Sequence, residues 1–182
     1  MTVTTRTYEE IALAEPERQW ELHHGALREK PGMSAGHNHL LDELDGSLRD
    51  GLDRAEFRVS VNAARLRATD DVQYVPDLVV IPAALREALR DQWRRLEVHD
   101  APMPLVVEVW SPSTGTYNVD TKIPAYQARG DKEIWRVHPF ERTLTRWLRL
   151  PDGSYERSVQ MSGTVRPVAL PGVALDLDAL FA

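Results

Sequence analysis

The chain has 182 residues, 42% of them hydrophobic and 27% charged, the balance of one ordinary globular domain over residues 1–182 that can bury a sizeable core. It has no cysteine, which excludes a disulfide framework and thiolate metal sites and is compatible with a reducing cytoplasm, the expected location. A net charge of −6, from 22 basic and 28 acidic residues, excludes a bulk electrostatic binder of nucleic acid, though arginines gathered on one face can still guide phosphates.

Met1 to Arg6 is polar and lacks the apolar core of a secretory leader, and no apolar run approaches the ~18 residues of a membrane span. Thr7-Tyr8-Glu9-Glu10 has capping-box spacing and predicts a short helix to about Ala14, ahead of Pro16. Gln19 to Glu29 reads as a small hairpin turning near His24-Gly25, and Pro31-Gly32 then breaks the chain. Ser34 is placed to cap a second helix. In it Leu40, Leu41, Leu44, Leu48 and Leu52 recur at helical intervals and make a core-facing stripe. Glu56 to Leu66 and Val72 to Ile81 read as strands around a turn at Thr69-Asp70-Asp71. Pro82 suits the first turn of a helix through Leu85, Leu89 and Trp93.

Pro104 to Trp110 is continuous in Val and Leu apart from one acid, as expected of a strand covered on both faces. Ser111 to Gly115 is a turn and loop, Asp120 to Arg129 reads as helix, and Gly130 is its stop. Glu133 to His138 returns as a strand, so the order strand, helix, strand implies a parallel crossover. Thr143 to Leu150 and Ser154 to Gln160 form a hairpin about Pro151-Asp152-Gly153, and the apolar tail from Pro171 to Phe181 is expected to dock on the domain. The pattern predicts an α/β fold: a mixed central sheet flanked by helices, with additional hairpins.

Two acids stand out against this pattern. Glu108 sits at the centre of the apolar run, and Asp77 interrupts the strand-like segment before it. An unpaired ionised carboxylate costs several kcal/mol to bury, so such a residue has a partner or a task. Two hard carboxylates on neighbouring strands suit Mg²⁺, which takes few protein ligands and keeps its water. A lysine nearby can orient the attacking water, and the following strand brings the Lys122 helix back over the sheet. Glu21, polar between Trp20 and Leu22, is a further candidate acid. Each residue also has a purely structural role open to it: Asp77 as a turn former, Glu108 in an ion pair with Arg136, Lys122 and Glu21 on solvated faces. His37 falls on the inward side of its helix near its start and is expected to pack there, with contact to the active site as the other possibility, while His39, two positions on, points elsewhere. His23-His24 reads as turn material. Arg142, Arg146 and Arg149 read as a solvated hairpin face, with phosphate contact as the other possibility.

The run Trp20 to Leu27, then His37, then Pro76-Asp77-Leu78-Val79-Val80, resembles the Uma-two family of restriction endonucleases. The likeness continues through Leu105 to Thr114, Asp120, Lys122 and Tyr126, Glu133 to Pro139, and Pro171-Gly172-Val173, and so covers nearly the whole chain. It implies the restriction-endonuclease-like fold of the PD-(D/E)XK nucleases and Mg²⁺-dependent cleavage of DNA, with Mn²⁺ as the other candidate ion. It implies too that Asp77 and Glu108 are metal ligands, and that Glu21 matches an N-terminal acid counted with the site. The lysine usual two residues after the second acid is replaced here by Trp110, and its role maps onto Lys122. His138 stands where relatives commonly carry an aspartate.

The leading expectation is therefore a metal-dependent endonuclease that uses a metal-activated water, with Asp77, Glu108, Lys122 and Glu21 as its site and a homodimer for double-strand cleavage. Its competitors are a non-catalytic binding or regulatory module on the same fold and a hydrolase of smaller phosphoesters.

Overall fold

The computed structural model describes residues 2–112 and 117–182; the end of the predicted Ser111 to Gly115 loop lies outside them. Helix α1 (Thr5–Ala14) begins earlier than its sequence pattern suggests, because Thr4 rather than Thr7 is the cap and accepts from the Thr7 N–H. Strands β1 (Trp20–His23) and β2 (Ala26–Glu29) form the expected hairpin. Its turn uses the positive φ of His24 (47°) and Gly25 (72°). Ser34 caps α2 (Ala35–Gly51), whose Leu40, Leu41, Leu44 and Leu48 are buried as their spacing requires.

The segment read as one strand from Glu56 divides into β3 (Phe57–Val61) and β4 (Arg65–Thr69). Asn62 adopts a left-handed φ of 49° between them and turns the chain from one sheet into another. The next segment also divides, into β5 (Val72–Tyr74) and β6 (Leu78–Pro82). Pro76 has no N–H for a ladder, and the break leaves Val75 and Asp77 outside regular pairing. Helix α3 (Ala83–Glu87) is shorter than predicted; Trp93, expected on its apolar face, is 88% exposed.

The short β7 (Val98–His99) precedes β8 (Leu105–Val109). A π-helical turn (Asn118–Lys122) then leads into α4 (Ile123–Arg129), which Gly130 ends at φ 80°. Next come β9 (Glu133–His138), β10 (Thr143–Arg149) and β11 (Tyr155–Gln160), then β12 (Thr164–Val165), β13 (Leu175–Asp176) and α5 (Leu177–Leu180).

A six-stranded sheet runs β11-β10-β9-β8-β6-β3, a five-stranded sheet runs β2-β1-β5-β4-β7, and β12 pairs with β13. In the larger sheet β8 and β9 are parallel, as the crossover reading requires, while β6 and β8 are antiparallel. Strand alternation sends Leu105, Val107 and Val109 toward the α2 leucines and the buried C-terminal Val173, Leu175 and Leu177. It sends Val106 to the other face, against Ile123 and Tyr126 of α4 and Leu66 and Tyr74 of the smaller sheet. Glu108 projects to this second face.

Candidate functional site

Lys122 ends the π-helical turn and Tyr126 follows one helical turn later, so both side chains fall on one face. Both meet the same oxygen: Glu108 Oε1 accepts from Tyr126 OH at 2.7 Å and from Lys122 Nζ at 3.2 Å. Lys122 Nζ also lies 2.7 Å from Glu21 Oε1 and donates to the Val75 carbonyl at 3.2 Å. Glu21 reaches this point because β1 pairs with β5, and its Oε1 accepts the Val75 N–H at 2.9 Å. The innocent pairing of Glu108 with Arg136 is not what the structure contains, although the two face each other in register across β8 and β9.

Asp77 occupies the break between β5 and β6. Its Oδ2 accepts the Val109 N–H at 2.7 Å, tying it to the end of the Glu108 strand. Its Oδ1 is 2.7 Å from the ammonium of Lys30, which also donates to Val75 O at 3.0 Å and to Asn62 Oδ1 at 2.7 Å. Lys30 and Lys122 thus share one backbone carbonyl. His37, read either as packing on the inward face of its helix or as touching the site, stands beside this group, with Nε2 3.7 Å from Asp77 Oδ1. Glu21, Asp77, Glu108 and Lys122 are brought together, and each is at most 2% exposed.

The electrostatics follow from burial and from who faces whom. Burial pushes the Glu108 carboxyl up, and Asp77 adds to this; Lys122 offsets only part of it, leaving Glu108 at about 7. Burial opposes ionisation of Asp77 as well, but Lys30, His37 and Lys122 outweigh it and hold that carboxyl well below the usual range. Desolvation alone would lower Lys122, yet Glu108 and Glu21 keep its ammonium protonated well above the ordinary lysine range. At the edge of the group Tyr74 OH and His23 Nδ1 are 2.7 Å apart, and the Arg28 guanidinium lies 3.5 Å over the Tyr117 ring. His23, read as turn material, ends β1 in this aromatic cluster.

Sequence reasoning missed Lys30, because it follows a hairpin rather than interrupting an apolar run. A signal for it existed. Lysine occurs only at positions 30, 122 and 132, every other basic residue being arginine, and two of those three are in this cluster. An arginine fork would not fit where a compact ammonium bonds several oxygens at once. Among the described residues no three His, Cys, Asp or Glu side chains converge closely enough to hold a metal ion. The arginines of the late hairpin lie elsewhere: Arg146 pairs with Glu133, and Arg142 bonds the Phe181 carbonyl.

A mixed sheet flanked by helices, its parallel strands β8 and β9 joined through the α4 crossover, is a restriction-endonuclease-like fold. The chain belongs to the Uma2 family, described as "putative restriction endonuclease", whose model matches residues 5–178. It is similar in structure to a protein from Anabaena variabilis described as a "putative nuclease belonging to DUF820", with a TM-score of 0.73 and 19% identity over 89% of each chain. That likeness concerns the fold. A comparison with curated proteins finds no match. No helix among the described residues is long and apolar enough to cross a membrane.

Proposed function

We propose that the chain is a divalent-cation-dependent endonuclease that hydrolyses DNA phosphodiester bonds. In this reading Asp77 and Glu108 are cation ligands, Glu21 is a further acid of the site, and Lys122 orients water and phosphate. The observation that carries it is the convergence of these four side chains from remote parts of the chain: Lys122 Nζ meets Glu21, Glu108 and the Val75 carbonyl, Glu21 accepts the Val75 N–H, and Asp77 is tied to the Val109 N–H at the end of the Glu108 strand. Carboxylate and carbonyl oxygens are the donors Mg²⁺ and Mn²⁺ prefer, and such ions commonly take one or two protein carboxylates and fill the remainder with water.

When bound, such an ion supplies positive charge against the charge that develops on the phosphate and makes water a stronger nucleophile at neutral pH. Lys122 keeps its proton, so its Nζ serves as a donor to water or a phosphate oxygen and not as a base. Glu108, at about 7 without an ion, would be drawn to its ionised form by a bound dication, as a ligand requires. Water attacks phosphorus, the bond to the leaving oxygen breaks, and that oxygen leaves with a proton. Cutting both strands requires two such centres, so a homodimer on duplex DNA is part of the proposal.

The test is incubation with supercoiled plasmid and Mg²⁺ or Mn²⁺, comparing the wild type with Glu108→Ala and Lys122→Ala. Both variants are expected to lose cleavage; unchanged cleavage in both refutes the assignment. A second reading, a nuclease-fold protein acting as a binding or regulatory module, is favoured by one feature: the buried carboxylates are already compensated by Lys30 and Lys122. Calorimetric titration with the two ions separates the readings, since only the enzyme requires cation binding that Asp77→Ala abolishes.

A further inference from the structure

His37 lies on the inward face of α2, 4% exposed, and neither ring nitrogen has a hydrogen-bond partner among the described residues. Buried polar atoms are ordinarily paired, because leaving one unpaired costs the fold free energy. Its Nε2 is 3.7 Å from Asp77 Oδ1, too long for a hydrogen bond. That same oxygen is 2.7 Å from the Lys30 ammonium, which also touches Asn62 Oδ1 and Val75 O. A positive centre therefore sits among three oxygens, and an unpartnered nitrogen faces one of them. Lys30 also has somewhere to go: with Asn62 and Asn38 it lines an open cleft of about 430 Å³, and Pro31-Gly32 follow it in the chain.

We propose that this seat takes a first-row divalent transition ion, with His37 as a ligand beside Asp77, and that the ion displaces the Lys30 ammonium. The inference rests on the cation dependence proposed above and narrows it to an ion class. Imidazole nitrogen is a good ligand for first-row transition ions, whereas Mg²⁺ demands oxygen donors and sheds water reluctantly. The oxygens around Lys30 serve either ion; the nitrogen of His37 separates them. Displacement also keeps the charge in bounds, since an ammonium leaves the buried carboxylate as the dication arrives.

The test uses the whole chain freed of metals with chelator, with Mn²⁺ and Mg²⁺ alone as probes. Mn²⁺-loaded wild type, with and without isotopically labelled histidine, is read by electron spin-echo envelope modulation. The nitrogen modulation is expected to change with the isotope, to vanish in His37→Gln and to survive in His39→Gln. In calorimetry the wild type is expected to bind Mn²⁺ at least about tenfold more tightly than Mg²⁺, a preference that His37→Gln removes. Lys30→Met is expected to bind Mn²⁺ more tightly than the wild type does. Mn²⁺ bound without histidine modulation, or with its preference intact in His37→Gln, overturns the ligand assignment. Binding no tighter in Lys30→Met overturns the displacement. The isotope comparison needs no variant, so an absence of histidine modulation overturns the ligand assignment even where a substitution impairs folding. Failure of the wild type to bind either ion sinks the cation-dependent nuclease reading itself, whereas Mn²⁺ bound through oxygen alone sinks only this inference.

Discussion

Replacing Glu108 by glutamine is expected to stabilise the metal-free protein at alkaline pH. The unfolded chain releases this proton near 4.5 and the folded one near 7, so between those values the folded state holds more protons and stability falls as pH rises. At ~1.4 kcal/mol for each tenfold change in proton affinity, holding Glu108 ionised costs the fold about 3 kcal/mol once pH exceeds 7. Glutamine keeps the shape and leaves an amide oxygen to accept from Lys122 and Tyr126, so it removes that cost without opening a cavity. Glu108→Gln should therefore exceed the wild type by up to about 3 kcal/mol at pH 8 and match it near pH 5. Urea unfolding at both pH values, with chelator present, measures the difference. A variant less stable than the wild type by the same amount at both would refute the reasoning, because Glu108 would then be a structural ligand of Lys122 and not a strained acid. Stability gained where activity is lost is the usual mark of a group retained for function.

Lys122→Met leaves Glu21 and Glu108 buried without their cation and should cost ~3–5 kcal/mol at pH 8 in urea unfolding. The loss should shrink at pH 6, where Glu108 takes up a proton. Asp77→Asn strands the Lys30 ammonium and should cost a similar ~3–5 kcal/mol at neutral pH. Asp77 is held below its ordinary value of 3.8, so its contribution is present above that pH and is lost as pH falls further; acid titration of stability should be correspondingly flatter in the variant. Gly51→Ala would place a Cβ 2.5 Å from the Gly172 carbonyl oxygen and 2.7 Å from Val173 Cα. Backbone must move to admit it, and thermal unfolding should register a loss of ~1–3 kcal/mol.

Much of the fold and part of the site were legible before any coordinates. The leucine stripe of α2, the crossover from β8 to β9 and the β10–β11 hairpin follow from local periodicity and turn chemistry, which act within a few residues. Glu108 and Asp77 betrayed themselves because a charge inside an apolar run has no local reason to be there. Tertiary structure decided the remainder. Val72 to Ile81 carries the same apolar character whether it forms one strand or two, and only assembly into two sheets divides it at Pro76 and exposes the Val75 peptide to both lysines. Lys30, after a hairpin, is unremarkable in sequence, and His37 shows there only as a residue on the inward face of a helix. Their significance lies in distances to Asp77, and a distance between remote residues is a property of packing, not of the pattern around either one.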